Sequence, residues 1–127
     1  MLKQYKDVKA FHEAFNHPVG TKPQMLTKER MMLRLKWLQE EVDEAKEATT
    51  WVDQIDALTD AMYFIVGTFV EMGVNPDDFF DIVHGANMSK LVDGKPIYKE
   101  DGKVAKPEGW VAPEPQMKQL LDSLTKA

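Results

Sequence analysis

The chain has no cysteine, which excludes disulfide cross-links, thiolate zinc sites and cysteine nucleophiles and fits a reducing compartment. It also lacks a basic surplus. Sixteen Lys and Arg stand against 21 Asp and Glu, a net charge of −5, whereas binders of nucleic-acid polymers gather Lys and Arg on one face. Free nucleotides are compatible with that balance; a polymer is not expected. No stretch approaches the roughly 20 apolar residues of a membrane span, and charges interrupt the N-terminal segment every few positions, unlike a signal peptide. A cytoplasmic location with no membrane partner is the resulting expectation. Repeats and low-complexity tracts are missing as well. One local absence carries more weight than these: between Lys46 and Lys90 there is no Lys or Arg at all.

What is present is helical periodicity. The 127 residues suit one domain, with a helical bundle over about 2–91 and a loop plus short terminal helix over about 92–127. Val8, Phe11 and Phe15 recur at helical spacing until His17-Pro18-Val19-Gly20 signals a turn. Thr27 is a simple cap for a second helix to about Ala48, with an apolar stripe of Met31, Leu35, Leu38, Val42 and Ala45. Glu41 sits at the edge of that stripe and is expected to be half-buried. Thr49-Thr50 breaks the pattern and can cap a third helix ending near Met72 before Gly73, with Ile55, Leu58, Met62, Ile65 and Phe69 as its expected core face. Asn75-Pro76 opens a fourth helix to about Leu91. Beyond it, Gly and Pro forbid regular helix until roughly Gln116, although Trp110 argues for an ordered loop or small hairpin. The expected fold is all-α: an antiparallel four- to five-helix bundle with an irregular Gly/Pro-rich C-terminal loop. A chain this small often completes its core by oligomerising.

Two acidic clusters give the bundle a chemistry. Glu40, Glu41 and Glu44 lie on the second helix, and Asp53, Asp56 and Asp60 share one face of the third. Glu-Glu-x-x-Glu alone is common on solvated helix faces. Asp, however, is a poor helix former, and three on one face of an otherwise apolar helix are costly. With no cationic side chain in the stretch to neutralise them, a hard divalent ion is the economical partner: Mg²⁺, with Mn²⁺ able to substitute. The chain reads as a metal-dependent enzyme acting on a phosphorylated substrate. Asn87 and Lys90, one turn apart on the fourth helix, offer an amide and an ammonium to a polyphosphate, and Lys103 and Lys106 on the loop offer two more cations. Tyr63, one turn past Asp60, suits orienting a ligand or stacking on a base. Phe11, His12 and Trp37 are candidates to line the base and sugar pocket. The rival reading is a non-enzymatic helical module that binds cations or a protein partner.

The order Leu38-Gln39-Glu40-Glu41-Val42-Asp43-Glu44, then Asp53-Gln54-Ile55-Asp56 through Asp60-Ala61-Met62-Tyr63, then Asn87-Met88-Ser89-Lys90 resembles the all-α nucleoside triphosphate pyrophosphatase superfamily. That superfamily holds MazG-like proteins, dimeric dUTPases and phosphoribosyl-ATP pyrophosphohydrolases. The tail Asp101-Gly102-Lys103, Lys106-Pro107 and Gly109-Trp110 echoes its small MazG-like members. The resemblance implies hydrolysis of a nucleoside triphosphate to monophosphate and pyrophosphate, with a housecleaning role on dUTP or non-standard dNTPs, or alternatively action on phosphoribosyl-ATP. It further implies metal held by Glu41, Glu44, Asp53 and Asp56, water activation by Glu40 or Asp60, charge offset by Lys90, and assembly as a homodimer or homotetramer. Two departures stand out. Asp53 occupies a position where the family pattern has Glu, and the second motif can end at Asp56 or, with Ala57 as its non-ligating opening, at Asp60.

Overall fold

The structure, a computed structural model, describes residues 2–126. Five α-helices follow one another: α1 (Leu2–Ala14), α2 (Lys28–Glu47), α3 (Trp51–Met72), α4 (Asp77–Met88) and α5 (Glu114–Thr125). Among the described residues the only β features are two isolated bridges, Val92 with Lys95 and Tyr98 with Val104, so the fold is all-α as the periodicity requires. No single helix is long and apolar enough to cross a membrane. The chain divides into two compact units, one ending at Pro76 and one beginning at Asp77.

In the first unit, local chemistry sets the helix ends. Thr27 Oγ1 accepts the Arg30 amide and Thr50 Oγ1 accepts the Asp53 amide, each at 3.1 Å. Gly73 closes α3 at φ 70°, a left-handed conformation that glycine adopts without strain, while its N–H returns to Phe69 O and Val70 O. The connection from α1 to α2 is strapped onto this end: Gly20 N donates to Val70 O (2.9 Å) and Gln24 N to Met72 O (3.0 Å), satisfying carbonyls that the helix leaves open. Helix α3 is the centre of the unit, with α1 and α2 both packed on it.

The face of α3 that does this packing is not the one its apolar stripe marks. Ile55, Leu58, Met62 and Ile65 are exposed, Leu58 by 60%, and the buried positions are Ala57, Val66, Gly67, Val70 and Glu71. Val8, Val66 and Val70 form a small core, with Tyr5 and Val19 against it. Small residues allow close approach, and a buried ion network fixes the register. Glu71, 2% exposed, accepts from Arg30 Nε (2.7 Å) and Nη2 (2.9 Å) and from Arg34 Nη1 (2.8 Å). Arg34 also donates to Thr68 Oγ1 (3.1 Å) and Phe64 O (2.9 Å). Gly67 leaves the room this requires, since a Cβ there would collide with the Arg34 guanidinium and come within 2.9 Å of His12 Nε2. His12 is itself buried, and its Nδ1 lies 2.8 Å from Pro18 O; a carbonyl only accepts, so Nδ1 carries the proton.

In the second unit α4 packs on α5. Helix α4 stops at Met88, three residues short of the expected Leu91. Ser89 Oγ takes the Ala86 carbonyl (2.6 Å), and the Lys90 and Leu91 amides bond three residues back, tightening the chain out of the α-helix. Helix α5 starts at Glu114 rather than near Gln116, because Pro115 falls in the first turn, where its missing N–H removes no helical hydrogen bond.

Burial alone would push the Glu71 carboxyl up, but the Arg30 hydrogen bonds and the two guanidinium charges hold it below the ordinary value of 4.5. Its contribution to stability is therefore complete above that value and lost as pH falls through the lower folded one. Glu71→Ala, which strands Arg34 inside the fold, is expected to cost about 3–5 kcal/mol in urea unfolding at neutral pH. Glu71→Gln should flatten the acid limb of the stability profile below pH 4.5.

Candidate active site

Residue numbers on α2 rise as those on α3 fall along the line of contact: Arg30 meets Glu71, Arg34 meets Thr68, and the Trp37 and Phe64 ring centroids are 6.0 Å apart. Continued further, this antiparallel register brings α2's carboxylates against those of α3. Glu41 feels the charges of Glu44, Asp60 and Asp56, and Asp60 those of Asp56 and Glu44. At the end of the pair Glu44, Glu47, Ala48, Asp53 and Asp56 line an open cavity of about 260 Å³. Among the described residues no Lys or Arg forms an ion pair with Glu41, Glu44, Asp53, Asp56 or Asp60.

The electrostatic consequence is concentrated on Glu41. Its carboxyl is pushed up to about 7, first by burial, then by a hydrogen bond to the Glu44 carboxylate and by the charges of Glu44, Asp60 and Asp56. Among the described residues no donor reaches its buried Oε2 oxygen. Asp60 is raised by burial and by the charges of Asp56 and Glu44. Among the described residues no three His, Cys, Asp or Glu close on a common point fit to hold an ion. The donor set is nevertheless all carboxylate oxygen, beside a polar cavity and with one buried oxygen lacking a donor. That chemistry fits a hard divalent cation, which carboxylates of this cluster would hold through oxygen.

Asp60 lies in the inner part of the cluster beside Glu41, whereas Asp53 lies at its outer end with Glu44, Glu47 and Asp56. Glu40 is exposed on α2. Glu47 is a cavity carboxylate not picked out from the sequence, although it stands three positions after Glu44, the spacing that keeps side chains on one helix face. The aromatic candidates separate. Phe11 packs edge-on to Tyr63 (centroids 5.6 Å apart) and beside Phe15 (4.5 Å) and His17 (5.9 Å), and His17 Nδ1 is buried without a partner among the described residues. Trp37 instead lies against the Arg30 and Arg34 guanidiniums, each 5.4 Å from its ring, and His12 is inside the ion network's surroundings. Asn87, Lys90, Lys103 and Lys106 belong to the second unit. There Lys90 and Lys106 lie over the Trp110 ring, Asn87 is exposed, and the Lys103 amide donates to Asp101 Oδ1 (2.9 Å) in a turn.

A sequence model of the family described as Phosphoribosyl-ATP pyrophosphohydrolase matches residues 8–87, more than half of the chain. No curated protein matches the sequence.

The carboxylate cluster should respond to divalent cations before any substrate is added. Millimolar Mg²⁺ or Mn²⁺ is expected to raise the thermal midpoint over that in EDTA by several degrees, and Glu44→Ala or Asp56→Ala to abolish the rise. In EDTA, Glu41→Gln should melt higher than the unmodified protein, because it removes a buried carboxylate surrounded by like charge.

Proposed function

Because the chain belongs to the phosphoribosyl-ATP pyrophosphohydrolase family, whose members are hydrolases acting on phosphoric anhydrides, we propose that it is a magnesium-dependent nucleoside triphosphate pyrophosphohydrolase. The substrate is split into a nucleoside monophosphate and pyrophosphate, in a nucleotide-pool housecleaning role on dUTP or non-standard dNTPs. The observation that carries this reading is the meeting of α2 and α3 carboxylates around a Glu41 oxygen that has no donor, and with no paired Lys or Arg, among the described residues. A second reading, phosphoribosyl-ATP as the substrate, is favoured by the family match over residues 8–87.

Enzymes of this family generally use divalent metal ions. Glu41, Glu44, Asp53 and Asp56 would hold such an ion, Mg²⁺ in this reading, and it would supply electrostatic stabilisation to the phosphate oxygens and the departing pyrophosphate. Asp60, whose burial and acidic neighbours raise its affinity for a proton, is placed to orient the attacking water and accept its proton, with the exposed Glu40 as the other candidate base. The nucleoside end lies against Phe11, Phe15 and Tyr63, where stacking on an aromatic face is worth about 1–3 kcal/mol per base.

The chain also assembles as a homo-oligomer in this reading. Trp51, Ile55, Leu58, Met62 and Ile65 alternate four- and three-residue steps down α3 and are all exposed, Trp51 by 78%. This is the pattern by which one helix interlocks with another, and a second copy of the same stripe satisfies it.

Incubation with Mg²⁺ and a panel of dNTPs, NTPs, dUTP, modified nucleotides and phosphoribosyl-ATP, assayed for pyrophosphate, should yield turnover. Glu44→Ala and Asp56→Ala should each lower kcat by at least about 100-fold with helical content unchanged. Pyrophosphate release surviving in both variants would refute the ligand assignment. Sedimentation equilibrium should give a dimer or tetramer mass, shifted to monomer by Leu58→Glu; a monomeric unmodified protein at tens of micromolar rules the oligomer out.

A further inference from the structure

The second unit gathers positive charge around one ring. Trp110 Nε1 donates to Ala86 O (2.8 Å) and to Ser89 Oγ (3.0 Å), and Ser89 Oγ donates to the same Ala86 carbonyl (2.6 Å), so the indole is pinned to the last turn of α4. The Lys90 ammonium stands 5.1 Å from the ring centroid and the Lys106 ammonium 5.4 Å from it. These two lysines come from opposite ends of the loop between α4 and the ring. The chain turns back through Lys106-Pro107-Glu108-Gly109-Trp110, a turn closed by the Trp110 amide on Pro107 O (3.1 Å) with Gly109 at φ 77°. Among the described residues neither ammonium pairs with a carboxylate, although Asp93, Glu100, Asp101 and Glu108 lie on the same stretch of chain.

An indole face attracts a cation through its quadrupole but leaves the charge in place. With two ammonium groups within 5.4 Å of one ring centroid, an anion reaching both would answer two uncompensated charges at once. Holding two long side chains in advance also removes part of the ordering entropy that binding would otherwise cost. A chain of phosphates suits the pair better than a single small anion, because its charge is spread over several linked groups. We propose that Trp110 is a positioning residue, holding Lys90 and Lys106 as a pair that binds the phosphate chain of a di- or triphosphate. The identity of the anion rests on the pyrophosphohydrolase reading; the pairing of the lysines does not.

The probe is inorganic tripolyphosphate, titrated calorimetrically into the full chain in EDTA so that binding is read apart from turnover. Trp110→Leu, which removes the ring and leaves both lysines, is expected to weaken binding about tenfold, with Trp110→Phe recovering most of that loss because a ring face remains. Lys90→Ala and Lys106→Ala should each weaken it too. On a turned-over nucleotide with Mg²⁺, Trp110→Leu should raise KM more than it lowers kcat. Equal affinity in Trp110→Leu and the unmodified protein overturns the proposal, as does a loss in Trp110→Phe as large as in Trp110→Leu. Should Trp110→Leu fail to fold, the indole N–H resonance missing from Trp110→Phe is followed in the unmodified protein: a shift on adding tripolyphosphate supports the pair and an unmoved signal overturns it. Tripolyphosphate binding without hydrolysis of any nucleotide overturns the pyrophosphohydrolase reading and leaves the pair standing. Hydrolysis with Trp110→Leu unaffected in affinity and KM does the reverse.

Discussion

Glu71 lies inside the fold between Arg30 and Arg34, and the rest of the first unit is arranged around that contact. A buried carboxylate is tolerable only when its charge is answered and its oxygens are bonded, and here two guanidiniums do both. The requirement sets the antiparallel register of α2 on α3. It demands glycine at position 67, where the Arg34 guanidinium and His12 occupy the space a side chain would take. It also places the opposite ends of the two helices against each other, and those ends carry Glu41, Glu44, Asp56 and Asp60.

One helix pair thus holds negative charge in two opposite ways. At one end a single carboxylate is neutralised by two arginines and kept ionised. At the other, several carboxylates face one another with no cationic side chain, and Glu41 is pushed up to about 7. The second arrangement destabilises the fold in isolation, and such locally unfavourable sites are characteristic of function. The neutralised end supplies the rigidity on which the repulsive end depends, because a register fixed at Glu71 cannot slide to relieve the crowding at Glu41.

The thin apolar core has the same origin. With α3 committing the face of Ala57, Gly67 and Glu71 to its neighbours, its large apolar side chains from Trp51 to Ile65 are left on the outside. The second unit is organised differently, by an indole pinned to the end of α4 and flanked by two lysines. Each unit holds charge that no ion pair answers among the described residues: the carboxylates around Glu41 in one, Lys90 and Lys106 in the other.

Much of this was determined by the sequence alone. Helix number, the caps at Thr27 and Thr50, the stop at Gly73 and the half-buried place of Glu41 all follow from periodicity and local hydrogen-bonding chemistry, which act between residues a few positions apart. The acidic spacing and the missing Lys and Arg likewise pointed to the carboxylate cluster, and the order of its motifs resembled the family. Tertiary structure decided what those rules cannot reach. Periodicity identifies an apolar face but not its partner, so the stripe of Ile55, Leu58, Met62 and Ile65 read as core and lies at the surface. Arg30, Arg34 and Glu71 look like solvated charges until the packing of α2 on α3 joins Arg30 to Glu71, 41 positions apart in sequence, and buries Glu71 and Arg34. The same holds for Lys90, Lys106 and Trp110, which share no periodicity and meet only because the loop between them closes. Contacts of that kind depend on how the chain returns to itself, and that return is settled by the packing of the whole unit.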